Sequence, residues 1–181
     1  MKGLLVLSHN VEDGEALTTR ALLKRAGLDI TTITYEKTPE ITTAFGLTVK
    51  VDHLAQDIDS SLYDFVVIPG GRYVGMIVDH DQHIKKLVQS FAKQQKVIAA
   101  ICAGPRFLGQ AGLLDGKHYT AYRGSEKDMP KGYYHPEKKA LRDGNIITAR
   151  GAGAVYEFVD EIVKHLLGED QAKALRENIL Y

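Results

Sequence analysis

The only cysteine of the chain, Cys102, stands where a thiol can act as a nucleophile. It follows the apolar run Val97–Ile101 and precedes Ala103, Gly104 and Pro105. Small residues around a nucleophile allow a sharp strand-to-helix turn, the nucleophile elbow, and proline is favoured at the start of the following helix. The pattern therefore predicts that Cys102 projects into a cleft, and it disfavours the alternative of a buried cysteine that acts as a small apolar residue. The N–H groups and dipole of the following helix predict a lowered thiol pKa.

A pair of glycines, Gly70 and Gly71, ends another apolar run, Phe65–Ile68. Such a pair can form nothing more than a tight turn. It can also let a backbone N–H come close to a substrate oxygen and, with the N–H of Ala103, form an oxyanion hole. The carboxyl ends of parallel strands meet at one edge of a sheet, so both segments are expected beside the same cleft.

Three acidic residues, Glu12, Asp13 and Glu15, follow the first apolar run. Negative charge is favourable in the first turn of a helix, and solvated charges are the expected state of Glu12 and Asp13. If Glu15 turns toward the cleft, it loses water and its pKa rises. It can then hold or move a proton beside Cys102.

The remaining candidates are less specific. The seven histidines form no pattern typical of a metal site, so no metal or cofactor is expected, although His135 lies in a loop that can reach a cleft. Arg123 and Arg150 can bind an anionic substrate or an oxidised sulfur, or they can be charges on the rim.

Apolar runs alternate with amphipathic segments along the chain. Strands are predicted over residues 4–7, 30–35, 65–68, 97–101 and 146–148, with a weaker strand over 119–122. The clearest helical period is that of Ile84, Leu87, Val88 and Phe91, with Asp79 or Asp81 placed as its cap. Alternation over 47–51 and a turn over 143–145 predict two hairpins. These elements predict an α/β protein, a three-layer sandwich with a mostly parallel central sheet.

Composition excludes several classes of protein. The chain has 181 residues, of which 44% are hydrophobic and 25% are charged, as in ordinary globular proteins. We expect residues 1–181 to form a single domain. The 23 basic and 23 acidic side chains cancel, so neither a nucleic-acid partner nor a membrane partner is expected. A single cysteine and an N-terminus that looks like a strand predict a cytoplasmic protein.

Three segments give the chain a resemblance to the ThiJ/PfpI superfamily: FVVIPGG at 65–71, AICAGP at 100–105 and TARGAG at 148–153. The branch it resembles most contains the parkinsonism-associated deglycase and its bacterial relatives. The resemblance implies a flavodoxin-like, class I glutamine amidotransferase-like fold and a homodimer. It also implies that the loop containing Gly151 lies near both the subunit interface and the active site.

Carried over by position, the resemblance makes Cys102 the reactive cysteine and Glu15 its partner acid. The N–H groups of Gly71 and Ala103 become the oxyanion pocket. Tyr122 takes a position where some members have histidine and others tyrosine. Protease-like members have histidine after the cysteine, whereas Ala103 stands here, so protease or amidotransferase chemistry is disfavoured because no adjacent base is supplied.

Two functions compete at this stage. One is an enzyme without a cofactor that acts on small α-oxoaldehydes or early glycation adducts through a Cys102 thiolate, with Glu15 moving the proton. The other is a redox sensor or holdase-type chaperone that signals through oxidation of Cys102. A scaffold with a vestigial site is a third possibility.

Overall fold

The computed structural model describes residues 1–181 and contains eleven strands and six α-helices. The strands are β1 (Lys2–Val6), β2 (Asp29–Thr34), β3 (Glu40–Thr42), β4 (Thr48–Lys50), β5 (His53–Leu54), β6 (Phe65–Ile68), β7 (Val97–Ile101), β8 (His118–Tyr119), β9 (Tyr133–Tyr134), β10 (Ala140–Asp143) and β11 (Ile146–Ala149). The helices are α1 (Thr19–Arg25), α2 (Arg72–Ile77), α3 (His83–Lys93), α4 (Pro105–Gln110), α5 (Val155–Leu167) and α6 (Glu169–Ile179).

Seven strands form the main sheet, in the order β10-β11-β7-β6-β1-β2-β5. Every neighbouring pair is parallel except β10 with β11. Every residue of β6 and β7 is buried, as expected for central strands covered on both faces. The prediction of a mostly parallel α/β sheet is confirmed.

Helices flank the sheet. α5 packs on β7, β10 and β11 and also contacts α1 and α6, whereas α3 packs on β6 and β7 and contacts α4. The apolar face predicted for α3 is buried, and the carboxylate of Asp81 accepts the N–H of Ile84 at 2.9 Å, so Asp81 is the cap. None of the helices combines the length and the apolar character that a membrane span requires.

Two predicted hairpins are present, β3 with β4 and β10 with β11. The predicted strand over 119–122 is mostly absent. β8 pairs with β9 in a small separate sheet. It ends at Tyr119 because the next N–H, that of Thr120, donates to the Thr148 side chain at 2.9 Å and not to a neighbouring strand. The short elements α2 and β5 were not predicted.

The strand order places the functional region. From β1 the chain moves to β2 on one side, and it then returns to place β6 and β7 on the other side. In open parallel sheets a crevice forms beyond the carboxyl ends of the strands at such a reversal. The segments after β1, β6 and β7 carry Glu15, Gly70 and Cys102, so the fold brings the candidate residues to one place.

Candidate active site

Cys102 sits in the sharp turn between β7 and α4. Its backbone has φ +63°, in the left-handed region that residues other than glycine rarely adopt. Two hydrogen bonds hold this conformation: the Cys102 N–H donates to the Ala149 carbonyl at 2.9 Å, and its carbonyl accepts the Tyr122 N–H at 2.8 Å. Strained backbone of this kind is typical of a nucleophile elbow, as the sequence predicted.

Glu15 reaches the same point from the segment after β1. It lies in a π-helical turn, Gly14–Thr18, that runs directly into α1. Single π-turns are frequent at functional sites. The side chain is only 1% exposed, and its carboxyl group accepts the Gly70 N–H at 2.8 Å. It also lies beside the Cys102 side chain and the Ala152 N–H, and both lower its pKa. The structure therefore turns Glu15 toward the cysteine.

Burial governs the protonation of both groups. It raises the pKa of Glu15 to about 7; the Glu12 charge adds to this, and the hydrogen bonds from Cys102, Gly70 and Ala152 oppose it. Burial also raises the pKa of Cys102; the negative charge on Glu15 and the hydrogen bond to Glu15 add to this, and the Ala103 N–H opposes it. The prediction of a lowered cysteine pKa is therefore wrong. α4 has only six residues, and its N-terminus does not outweigh burial and a neighbouring carboxylate.

The two side chains titrate as a coupled pair. An ionised Glu15 disfavours the thiolate by repulsion, whereas a protonated Glu15 removes that repulsion and can donate a hydrogen bond to the sulfur. Near neutrality Cys102 therefore keeps its proton, and Glu15 is partly protonated.

The two glycines, Gly70 and Gly71, have different structural roles. A Cβ on Gly70 would lie 2.6 Å from both the Cβ of Cys102 and a carboxyl oxygen of Glu15, so only glycine fits between them. Because the Gly70 N–H donates to Glu15, it is not free for a substrate. Gly71 has φ +124°, and no hydrogen bond from its N–H to another group of the chain is found. Gly71 therefore carries an N–H that is available to an oxyanion, whereas the Ala103 N–H is directed at the Cys102 sulfur in the resting site.

Cys102 is half-buried and opens into a pocket of about 490 Å³. The predicted residues Tyr122, Arg123, Gly71 and Ala103 line this pocket. A neighbouring cavity of about 540 Å³ shares Tyr122 and Arg123 with it and contains Arg150, Gly151, Ala152 and Gly153. Gly151 therefore lies outside the cysteine pocket but next to the ring of Tyr122, which lines both cavities.

Three charged residues of the pocket were not predicted: Arg72, Arg106 and Lys127. No local pattern in the sequence marks them. They meet because α2 begins immediately after Gly71, α4 follows Cys102, and a 3₁₀ turn, Glu126–Asp128, returns across the pocket. Only the fold could have shown this.

Other candidates have structural contacts. Glu12 lines the pocket, and its carboxylate accepts the Glu15 N–H at 2.6 Å, so it is more than a solvated charge. Asp13 holds the hairpin of β3 and β4 through the Thr43 hydroxyl at 2.6 Å. His135 pairs with His118, ring nitrogen to ring nitrogen at 2.7 Å, and does not line the pocket. No group of three or more His, Cys, Asp or Glu side chains is arranged to hold a metal ion.

The elbow cysteine, the buried glutamate and the parallel sheet define a class of α/β proteins with a cysteine in a sharp strand-to-helix turn. A model of the DJ-1/PfpI family matches residues 1–165. The chain belongs to the DJ-1/PfpI family.

Individual relatives agree with this assignment. Deglycase PfpI of Pyrococcus furiosus is 30% identical over 167 residues, which cover 92% of this chain and 99% of that protein. Protein DJ-1 homolog B of Arabidopsis thaliana is 31% identical over 94% of this chain, but the match spans only 39% of the longer plant protein. The crystal structure of Drosophila melanogaster DJ-1beta superposes with a TM-score of 0.91 at 28% identity, covering 99% of this chain and 97% of that one.

Proposed function

We propose that this protein consumes α-oxoaldehydes such as methylglyoxal, or the early glycation adducts they form, with Cys102 as the nucleophile and Glu15 as the proton shuttle. The observation that carries the proposal is the position of a buried carboxyl group, with a pKa of about 7, directly beside the Cys102 side chain. A general base works best when its pKa lies near the operating pH. The relative named Deglycase PfpI supports a glycated substrate class.

The first step is attack of the Cys102 sulfur on the aldehyde carbon. A C–S bond forms, the carbonyl π electrons move onto oxygen, and the thiol proton passes to the Glu15 carboxylate. Because ionised Glu15 disfavours a free thiolate, the proton leaves as the bond forms. In this proposal the N–H groups of Gly71 and Ala103 donate to the oxyanion, which then takes the proton from Glu15 to give a hemithioacetal.

The second step moves a proton between carbons. The Glu15 carboxylate removes the proton from the carbon that bears sulfur and returns it to the neighbouring carbon. The hemithioacetal hydroxyl proton passes to the former ketone oxygen, so the product is a thioester of an α-hydroxy acid. Water then hydrolyses the thioester and releases the acid and the Cys102 thiol. Methylglyoxal gives a single enantiomer of lactate. Consumption of free aldehyde also pulls reversible glycation adducts apart, so no separate deglycase step is required.

A redox sensor or holdase-type chaperone is the second candidate, favoured by the same carboxyl group. With a pKa of about 7, Glu15 is partly protonated at neutral pH and can donate to a Cys102 sulfinate. Two equivalents of peroxide would supply the two oxygens and leave as water.

The proposal treats residues 1–181 as one cytoplasmic domain that works as a homodimer. Exposed apolar side chains support a partner surface: Phe45 is 73% exposed and Leu180 is 95% exposed. Size-exclusion chromatography with light scattering tests this part, and a monomer at micromolar concentration contradicts it.

The functional test is a chiral lactate assay with methylglyoxal on the purified protein. We expect one enantiomer of lactate from the wild type, loss of turnover in Cys102→Ala, and wild-type turnover in His135→Gln, which changes a residue outside the pocket. Full turnover in Cys102→Ala overturns the mechanism. If the wild type makes no lactate while a small excess of peroxide adds two oxygens to Cys102 alone, the sensor replaces the enzyme.

A further inference from the structure

Positive side chains crowd the entrance to Cys102. Arg72, Arg106, Arg123 and Lys127 line its pocket, and Glu12 is the only acidic residue among the lining residues. The whole chain carries no net formal charge, so this excess does not reflect a basic protein.

Most of these cations have no partner. Arg106 forms an ion pair with Asp128, whereas no salt bridge or side-chain hydrogen bond is found for Arg72, Arg123 or Lys127. The nearby carboxylates accept hydrogen bonds from backbone N–H groups instead. Glu12 accepts the Glu15 N–H, and Glu126 accepts the Gly124 N–H at 2.7 Å.

Unpaired cations beside a reactive group attract anions. A concave site lined by one sign of charge focuses the field and raises the local concentration of the opposite charge. Arginine in particular presents a planar fork that matches a carboxylate or a phosphate. Neutral methylglyoxal would make no use of these groups.

Building on the proposed function, we propose that the preferred substrate is an α-oxoaldehyde that carries a carboxylate or phosphate, bound by Arg72, Arg123 and Lys127 while its aldehyde meets Cys102. These three are substrate-binding residues that set specificity, and they take no part in bond making. Arg106 is held by Asp128 and is left out of this role.

Alkylation of Cys102 tests the charge preference without any turnover. In iodoacetate and in iodoacetamide the sulfur displaces iodide and forms a C–S bond, but only iodoacetate is negatively charged. We expect the iodoacetate-to-iodoacetamide rate ratio for the folded protein to exceed that of the urea-unfolded chain about tenfold at low salt. We also expect this excess to fall as salt is added.

The variants Arg72→Gln and Arg123→Gln should each lower the ratio, and Lys93→Gln, on α3 away from the pocket, should leave it unchanged. The substituted arginines are exposed, so the fold should tolerate the changes, which circular dichroism and thermal unfolding would show. Protection of Cys102 by acetate assigns the cations to a carboxylate, and stronger protection by inorganic phosphate assigns them to a phosphate. A ratio equal to that of the unfolded chain, with protection by neither anion, overturns the inference.

Turnover provides the second arm. γ,δ-Dioxovalerate is an α-oxoaldehyde with a carboxylate, and its methyl ester is a neutral match. We expect kcat/KM to favour the acid about tenfold in the wild type and to lose this preference in Arg123→Gln. Equal turnover of acid and ester overturns the substrate class but leaves the proposed function standing. If neither is turned over although iodoacetate is preferred, the proposed function fails and anion binding stands.

Discussion

The carboxyl group of Glu15 lies beside the Cys102 side chain beneath the pocket, and burial raises the pKa of both groups. The protonation of each group therefore depends on the other, and an isolated thiolate does not describe the resting site. Gly70 fixes the pair from one side by donating its N–H to Glu15, and the loop at Ala152 does so from another.

Burial of Glu15 should make stability depend on pH. Its pKa is about 7 when folded against 4.5 for an ordinary glutamate, so the folded state holds the proton more tightly. The contribution of Glu15 to stability is then fully present below about pH 4.5 and is lost as pH rises through about 7, by a total of about 3 kcal/mol. Glu15→Gln cannot ionise and should be more stable than the wild type at pH 8 by up to about that amount.

Urea unfolding at several pH values measures this effect. The advantage of Glu15→Gln should shrink toward zero as the pH falls to about 4.5. Glu40→Gln, an exposed change on β3, serves as the control and should show no such advantage. A Glu15→Gln variant that is less stable than the wild type at high pH would show that the charged carboxylate stabilises the fold.

The same substitution should separate thiol acidity from activity. Removing the Glu15 charge removes a cause that raises the Cys102 pKa, so the thiol should ionise at lower pH, as followed by thiolate absorbance. Turnover should nevertheless fall about 10²-fold or more, because the proton shuttle is lost. Activity that rises with the thiolate fraction in this variant would make Glu15 dispensable.

Glu12 offers a milder adjustment. Its charge raises the pKa of Glu15, so Glu12→Gln should lower that pKa while keeping an acceptor for the Glu15 N–H. A base acts when deprotonated, so the acidic limb of the kcat/KM profile should move to lower pH. An acidic limb that stays in place would assign it to a group other than Glu15.

Gly70→Ala should disturb the pair directly. The added Cβ would press on Cys102 and Glu15 at 2.6 Å, so we expect a loss of turnover of at least tenfold and a stability loss of about 1–3 kcal/mol. Gly153→Ala meets no atom within 4 Å and should change stability by less than about 0.5 kcal/mol. Thermal unfolding and the lactate assay compare the two variants, and equal behaviour would remove the steric argument.

Sequence reasoning recovered most of the sheet because its central strands are continuous apolar runs. β6 and β7 are short, fully apolar runs, which are typical of strands buried on both faces. The buried face of α3 follows from the helical spacing of its apolar residues. α2 was missed because six residues with an internal glycine give too short a pattern. The strand predicted over 119–122 was too long, because the Thr120 N–H donates to a side chain instead of a neighbouring strand.

The candidate site divides in the same way. The positions of Cys102, Gly71 and Ala103 beside one pocket follow from local turn chemistry, which the sequence shows. The orientation of Glu15 depends on a π-helical turn and on contacts with Gly70 and Ala152, which no local pattern encodes. The raised cysteine pKa was likewise missed, because it depends on that carboxyl group and on burial.

Carbon-13 NMR of the Glu15 carboxyl carbon tests most directly whether the pKa of Glu15 is raised. In glutamate-labelled protein, the Glu15 signal is identified by its absence in Glu15→Gln. We predict a titration midpoint of about pH 7, and a higher midpoint in Cys102→Ala, where the hydrogen bond that lowers the Glu15 pKa is gone. A midpoint near 4.5, unchanged in Cys102→Ala, would contradict the account.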